Sequence, residues 1–269
     1  MNARDMFDLS GKVALVTGGS RGLGLYMAKG LAELGAAVAL TARSESDLAD
    51  AAALLRAAGA RVLAVPHDLS EVHAADRLVD QVVAGLGDID ILVNNAAVAL
   101  PAPAEDHPPE YWDRVMDLNI NSLFFLSKEV VNRCMIPRRR GKILNISSTG
   151  GLGGNAIDAP RIISYNASKG AVISITRALA TEWGRYNINV NCIAPGTFPS
   201  DMTAATLPEA HRRRVLAKTP LGRLGGEDDI KGVAAFFVSE ASRHLSGQFV
   251  VLDGGAFTTN YQTTEAYEQ

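Results

Sequence analysis

Seven short apolar runs, rich in Val, Ile and Leu, constrain this chain more than any other feature. They cover residues 12–17, 37–42, 61–66, 89–94, 142–147, 187–193 and 248–252. Near-continuous apolar runs of this length are what strands buried on both faces require, and such strands belong to parallel sheets. The longer Ala-rich segments between them, such as 23–34, 45–58 and 72–85, carry an apolar stripe at helical period. Strand and helix in alternation predict an α/β fold: a doubly wound parallel sheet of about seven strands with helices on both faces. No Pro/Ser-rich linker, internal repeat or low-complexity block interrupts the 269 residues, so one domain over 1–269 is expected.

Composition narrows the partners. Apolar residues make up 47% of the chain and charged ones 20%, enough to fill a core and far from the disordered range. A formal net charge of -3 provides no broad cationic surface for a nucleic-acid backbone, so no nucleic acid is expected. No apolar stretch is long enough to span a bilayer, and Arg4, Asp5 and Asp8 precede any apolar run. No membrane partner is therefore expected, and the cytoplasm is the expected location. Cys134 and Cys192 lack a second Cys or His at ligand spacing, and the five histidines are scattered. Reduced thiols and no metal site are expected. Segment 196–221 is long, polar and poorly periodic, and it follows a strand, which is the setting of a lid over a site at the carboxyl ends of the strands.

The first run passes directly into Thr17-Gly18-Gly19-Ser20-Arg21-Gly22-Leu23-Gly24, after which helical periodicity begins. Glycines let a backbone turn tightly and approach a pyrophosphate, while the helix start presents free N–H groups to the negative charge. Taken alone, the turn is equally a tight strand-to-helix connection. At the end of the second run, where an acidic residue would hold a ribose 2′-hydroxyl, stand Ala42 and Arg43. Arg43 and Arg21 are placed to grip a 2′-phosphate, which favours NADP(H) over NAD(H). Each arginine by itself is also compatible with a solvated surface position.

Tyr165 and Lys169 stand at i and i+4 and therefore share a helix face. A tyrosine hydroxyl can deliver a proton to a developing alkoxide, and a nearby positive charge favours its phenolate. Ser148 follows the fifth run, where its hydroxyl can steady charge on a substrate oxygen. Together with Asn94-Asn95-Ala96-Ala97, Asn119 and Pro195-Gly196, these residues occur in the order and spacing of the classical short-chain dehydrogenase/reductase family, and the chain resembles that family over nearly its whole length. The resemblance implies a Rossmann-type fold. It also implies an NADP(H)-dependent oxidoreductase that interconverts a secondary alcohol and a ketone, with Asn119, Ser148, Tyr165 and Lys169 as catalytic residues.

The same resemblance assigns cofactor contacts to Gly18, Ser20, Arg21, Gly22, Leu23, Gly24, Arg43, Asp68, Leu69, Asn95, Ala96, Tyr165, Lys169, Pro195, Gly196, Phe198 and Ser200. Asp68 matches the residue that holds the adenine ring, Lys169 the one that binds the nicotinamide ribose, and Asn119 the asparagine that interrupts a helix and carries a water relay. Stretches of the chain are similar to proteins of the gluconate 5-dehydrogenase kind, and the wording 198–203 is similar to rhamnolipid-type 3-oxoacyl reductases. The implied partners are a small ketone or alcohol substrate and further copies of the chain in a homotetramer, joined by helices starting near Glu110 and Ser164. Between Ser148 and Tyr165 the chain holds extra residues, among them Asp158 and Arg161, which either border the substrate pocket or form a surface excursion. Two other readings stay open: a 3-oxoacyl-thioester reductase, with Arg138 to Arg140 meeting an acyl carrier near the pocket mouth, and a dinucleotide-sensing protein without catalysis. Apart from the carrier role, Arg138 to Arg140 read as a solvated face.

Overall fold

The structure, a computed structural model, describes residues 2–71, 75–155, 159–199 and 209–258. Seven strands form one sheet: β1 (Val13–Thr17), β2 (Ala37–Ala42), β3 (Val62–Pro66), β4 (Ile91–Asn94), β5 (Gly141–Ile146), β6 (Ile188–Pro195) and β7 (Phe249–Leu252). Every pairing is parallel, in the order β3-β2-β1-β4-β5-β6-β7. Each strand lies within two residues of its apolar run. The interior strands β1, β4 and β5 are buried along their full length, as their unbroken apolar sequences require.

Alternation along the strands sends successive side chains to opposite faces, and each face has its own core. On one side Val16, Leu40 and Val93 pack against Met27 and Leu31 of α1 (Gly22–Glu33). In the chain's last long helix, Glu227–Val238, Ile230 and Phe237 join the same cluster. On the other side Leu15, Leu92 and Ile143 meet a second set of helices, with Val79 and Val82 coming from residues 75–86 and Leu126 and Leu179 from two later ones. In chain order after α1 the helices are α2 (Glu45–Ala57), α3 (Ala75–Leu86), α4 (Pro109–Met116), α5 (Ser122–Val130), α6 (Ile163–Trp183), α7 (Glu209–Lys218) and α8 (Glu227–Val238).

The strand order reverses between β1 and β4, because β2 and β3 extend one way and β4 to β7 the other. Connections leaving a parallel sheet at such a point diverge, and a crevice opens at the carboxyl ends. Between α4 and α5 the helix widens into a π turn, Asp117–Asn121, a distortion that often accompanies a functional residue.

Of the run Arg138 to Arg140, Arg139 and Arg140 are exposed as expected, and Arg138 is not. Arg138 is half-buried. It pairs with Asp90 at 3.0 Å and donates to the carbonyls of Cys134 and Ile89, because the helix end beyond α5 must join the start of β5 there. Arg140 also reaches Asp90. This places the basic run at the amino ends of the strands, opposite the crevice, so it cannot meet a carrier at the pocket mouth. Of the presumed lid, residues 200–208 lie outside the described residues, and α7 occupies much of the remainder.

Candidate active site

The crevice is built first from backbone. Gly18 and Gly22 take the left-handed conformation, with φ of +62° and +55°, which glycine adopts without strain. A Cβ on Gly24 would run into the Gly18 carbonyl and stand 2.6 Å from Asn95 Nδ2, so α1 starts as close to the loop as packing permits. Thr17 ties the two sides of the crevice together. Its hydroxyl accepts the N–H groups of Asn95 and Ala96 at 2.9 and 3.0 Å, while Asn95 Nδ2 donates to the carbonyls of Thr17 and Gly18. Thr17 lay inside the glycine motif but was not predicted as a site residue, since a lone Thr at a strand end carries no signal of its own.

Ser20, Gly22 and Leu23 complete the loop, with the Leu23 side chain packed on the core. Arg21 stands 4.0 Å from Asp47 across an exposed gap. Arg43 ends β2. Burial pushes the Asp68 carboxyl up, but the Ser70 N–H and hydroxyl, with the charges of Arg43 and His67, together hold it below its usual range. Arg21, Arg43 and Asp68 therefore share the carboxyl ends of β1 to β3. Leu69 points into the core, as does the Phe198 ring, which lies where a Cβ on Gly225 would have to go. Only the backbone of these two residues can face a ligand. Pro195 pairs with Leu252 at the end of β6, Gly196 N–H donates to the Leu252 carbonyl, and Ser200 lies outside the described residues.

The catalytic candidates converge from three elements. Tyr165 and Lys169 rise from the first turns of α6, with the ammonium 5.5 Å from the phenol ring centre. Lys169 is buried, and its Nζ donates to the Ile146 carbonyl at 2.8 Å. Ser148 follows β5, and its hydroxyl reaches the Tyr165 phenol and lowers its pKa against the larger upward push of burial. Ser147 points away and donates to the Lys169 carbonyl at 2.7 Å. Gly151 has no room for a side chain, because a Cβ would stand 2.5 Å from the Lys169 carbonyl carbon. Asn119 lies buried inside the π turn. Its side chain accepts from Val98 N–H and donates to the Val98 carbonyl and the Ser168 hydroxyl, joining the loop after β4 to α6. Two supports had no sequence signal: Ser168, and Asn166, whose amide holds the Gly150 carbonyl at 2.6 Å and so fixes the turn after Ser148.

The electrostatics differ from the sequence expectation in one respect. Burial drives Lys169 down to about 8 while it raises Tyr165 above its ordinary 10. The lysine thus discharges before the phenol ionises, and at neutral pH the pair is an ammonium beside a protonated hydroxyl. Such a hydroxyl has a proton to give, and the Ser148 hydrogen bond is what favours its phenolate. Of the extra residues before α6, Asp158 lies outside the described residues, and Arg161 forms an exposed pair with Glu105 at 3.2 Å. Among the described residues no group of His, Cys, Asp and Glu is placed to hold a metal ion, and no helix is long and apolar enough to cross a membrane.

The family model described as short chain dehydrogenase matches residues 12–211. Gluconate 5-dehydrogenase from Gluconobacter oxydans is 40% identical over 256 residues, covering 95% of this chain and 98% of that protein. The structure of a gluconate 5-dehydrogenase from Burkholderia cenocepacia, in complex with NADP and tartrate, superposes with a TM-score of 0.90 at 36% identity, covering 96% of this chain and 100% of that one. A 3-oxoacyl (acyl-carrier-protein) reductase from Agrobacterium tumefaciens with NADP bound is similar at 29% identity and a TM-score of 0.87, over 94% of this chain and 97% of that one.

Proposed function

The chain belongs to the short-chain dehydrogenase family, and on that premise we propose that it is an NADP(H)-dependent oxidoreductase interconverting a secondary alcohol and a ketone on a polyhydroxylated acid of the gluconate kind. The observation that carries the reading is the meeting of Ser148, Tyr165 and Lys169 at the mouth of the glycine-lined crevice. The substrate class is supported by what the relatives at 35–40% identity are named for.

The crevice suits a dinucleotide: with no side chain at Gly24, the start of α1 lies directly against the glycine loop, and Asn95 pins that loop from the opposite strand. Gly18, Ser20 and Gly22 to Gly24 would cradle the pyrophosphate, Arg21 and Arg43 the 2′-phosphate, and Asp68 the adenine. Backbone at Leu69, Asn95, Ala96, Pro195, Gly196 and Phe198, with Ser200, would frame the rest. When bound, NADPH supplies hydride. Ser148 holds the substrate oxygen, and the Tyr165 hydroxyl gives it a proton. The Lys169 ammonium lies close enough to offset the phenolate left behind, and Asn119 keeps α6 in register with the loop after β4. Exposed Tyr111, Trp112, Phe124 and Phe125 on α4 and α5 support self-association through that face, in line with a tetramer.

Absorbance at the NADPH band tests the reading against a panel of keto-sugar acids, simple ketones and 3-oxoacyl thioesters. Turnover of the keto-sugar acids is expected; turnover of the thioesters alone would transfer the assignment to acyl reduction. Two further results are expected. Arg43→Asp raises KM for NADPH by about 10- to 100-fold, the effect of losing one charge-assisted contact, and leaves KM for NADH nearly unchanged. An equal rise for both cofactors would remove Arg43 from the 2′-phosphate. The pH profile follows from Lys169. Its lowered pKa keeps it charged below about 8, so reductive kcat should hold at neutral pH and fall as pH rises through that value. A profile flat to pH 9 would mean that the charge is not used.

A further inference from the structure

At the amino ends of the strands, opposite the crevice, lies a second cavity of about 90 Å³. Four basic side chains line it: Arg140 is paired with Asp90, which lines the cavity as well, whereas Lys12, Lys142 and Arg243 form no ion pair among the described residues. Lys142 is the informative one. It starts β5 at 9% exposure, and its ammonium, with three donors to place, makes one hydrogen bond, to Asn189 Oδ1 at 2.9 Å. Asn189 cannot turn away, since its Nδ2 donates to the carbonyls of Arg243 and Leu245. The site is therefore built, with a buried cation aimed by a fixed amide.

The carboxylates nearby do not neutralise it. Asp90 is already held by Arg138, Arg140 and the Val13 N–H, and Asp8 is turned to Ser10. Burial pulls the Lys142 pKa below its ordinary value; Glu240, which lines the same cavity, favours the charged form, yet it stands beyond ion-pair distance and does not restore it. A buried ammonium with unserved donors is costly unless a counter-charge completes it. A cavity of this size holds a few waters or one tetrahedral oxyanion.

We propose that this cavity is a binding site for a compact oxyanion of the phosphate class, held by Lys142, Lys12 and Arg243. It is separate from the glycine-lined crevice and independent of the reading given to that crevice.

The test is the thermal midpoint of the intact protein titrated with inorganic phosphate, and in parallel with glycerol phosphate, against potassium chloride at matched ionic strength and with saturating NADP+. A saturable rise is expected with phosphate. The same rise with glycerol phosphate identifies the head of a phosphomonoester as an occupant, and its absence identifies the free ion. Arg243→Ala and Lys142→Met, the latter keeping the apolar stem, should each weaken the midpoint-derived affinity at least fivefold, whereas Arg43→Asp should leave it unchanged. No saturable rise with either probe overturns the proposal. So does a rise that survives in Arg243→Ala and Lys142→Met but disappears in Arg43→Asp, which would place the ion at the cofactor loop.

Discussion

Replacing Tyr165 by Phe is expected to lower kcat by about 10²- to 10⁴-fold, the usual worth of one positioned acid or base, while the dissociation constant for NADPH changes little. The substitution deletes one oxygen and keeps the ring, so the packing of the first turn of α6 is preserved. What is lost is specific. The hydroxyl is the group that Ser148 reaches, burial keeps it protonated at neutral pH, and the Lys169 ammonium 5.5 Å from the ring is available to the phenolate that would follow proton release. A phenylalanine leaves those two neighbours in place with no proton between them and the substrate. Steady-state kinetics with the best keto-acid of the panel, beside fluorescence titration of NADPH, separates the two effects. A kcat within tenfold of the wild type, with cofactor still bound, would assign the proton to another group. A parallel loss of NADPH affinity would mean that the ring's role is structural.

Why these residues were legible, and others not, has a physical basis. Strands buried on both faces must be apolar throughout, so the seven runs marked β1 to β7 to within two residues. Tyr165 and Lys169 announce themselves because i and i+4 fix a common face whatever surrounds them. Ser148 is told from its neighbour Ser147 by the structure, where the Ser147 hydroxyl donates to the Lys169 carbonyl and α6 passes so close that no side chain fits at 151. Arg138 was misread because its charge suggested solvent, whereas its partners Asp90 and Ile89 lie 48 and 49 residues away in sequence. Thr17, Asn166 and Ser168 act only through contacts made by the finished fold, 78 residues away for Thr17 and Asn95. The shared positions of Lys12, Lys142 and Arg243 were likewise invisible, since strand order alone brings them together. The same limit applies to Leu69 and Phe198. Motif position nominated both as contacts, and only packing reveals that their side chains face the core.

The second large effect is expected at a residue with no side chain. Gly24→Ala should weaken NADPH binding by about 10- to 100-fold, the factor to which 1–3 kcal/mol of overpacking corresponds, with the folded sheet retained. The added methyl would meet the Gly18 carbonyl and, at 2.6 Å, the Asn95 amide. Neither can retreat cheaply. Gly18 is held by its N–H bond to the Thr41 carbonyl at 2.8 Å, and Asn95 by the two bonds it donates to the Thr17 hydroxyl and carbonyl. The strain must therefore appear as movement of α1 away from the loop, which withdraws the helix N-terminus from the position where a pyrophosphate would accept its N–H groups. Gly153→Ala is the matched control, with nothing within 4 Å of the new methyl, and its binding should stay within about twofold of the wild type. Fluorescence titration with NADPH, alongside circular dichroism to confirm the fold, decides the matter. Wild-type affinity in Gly24→Ala would mean that the loop tolerates the shift and that its glycines serve the turn alone. Loss in both variants would place the sensitivity in glycine substitution generally, not in the contact between α1 and the loop.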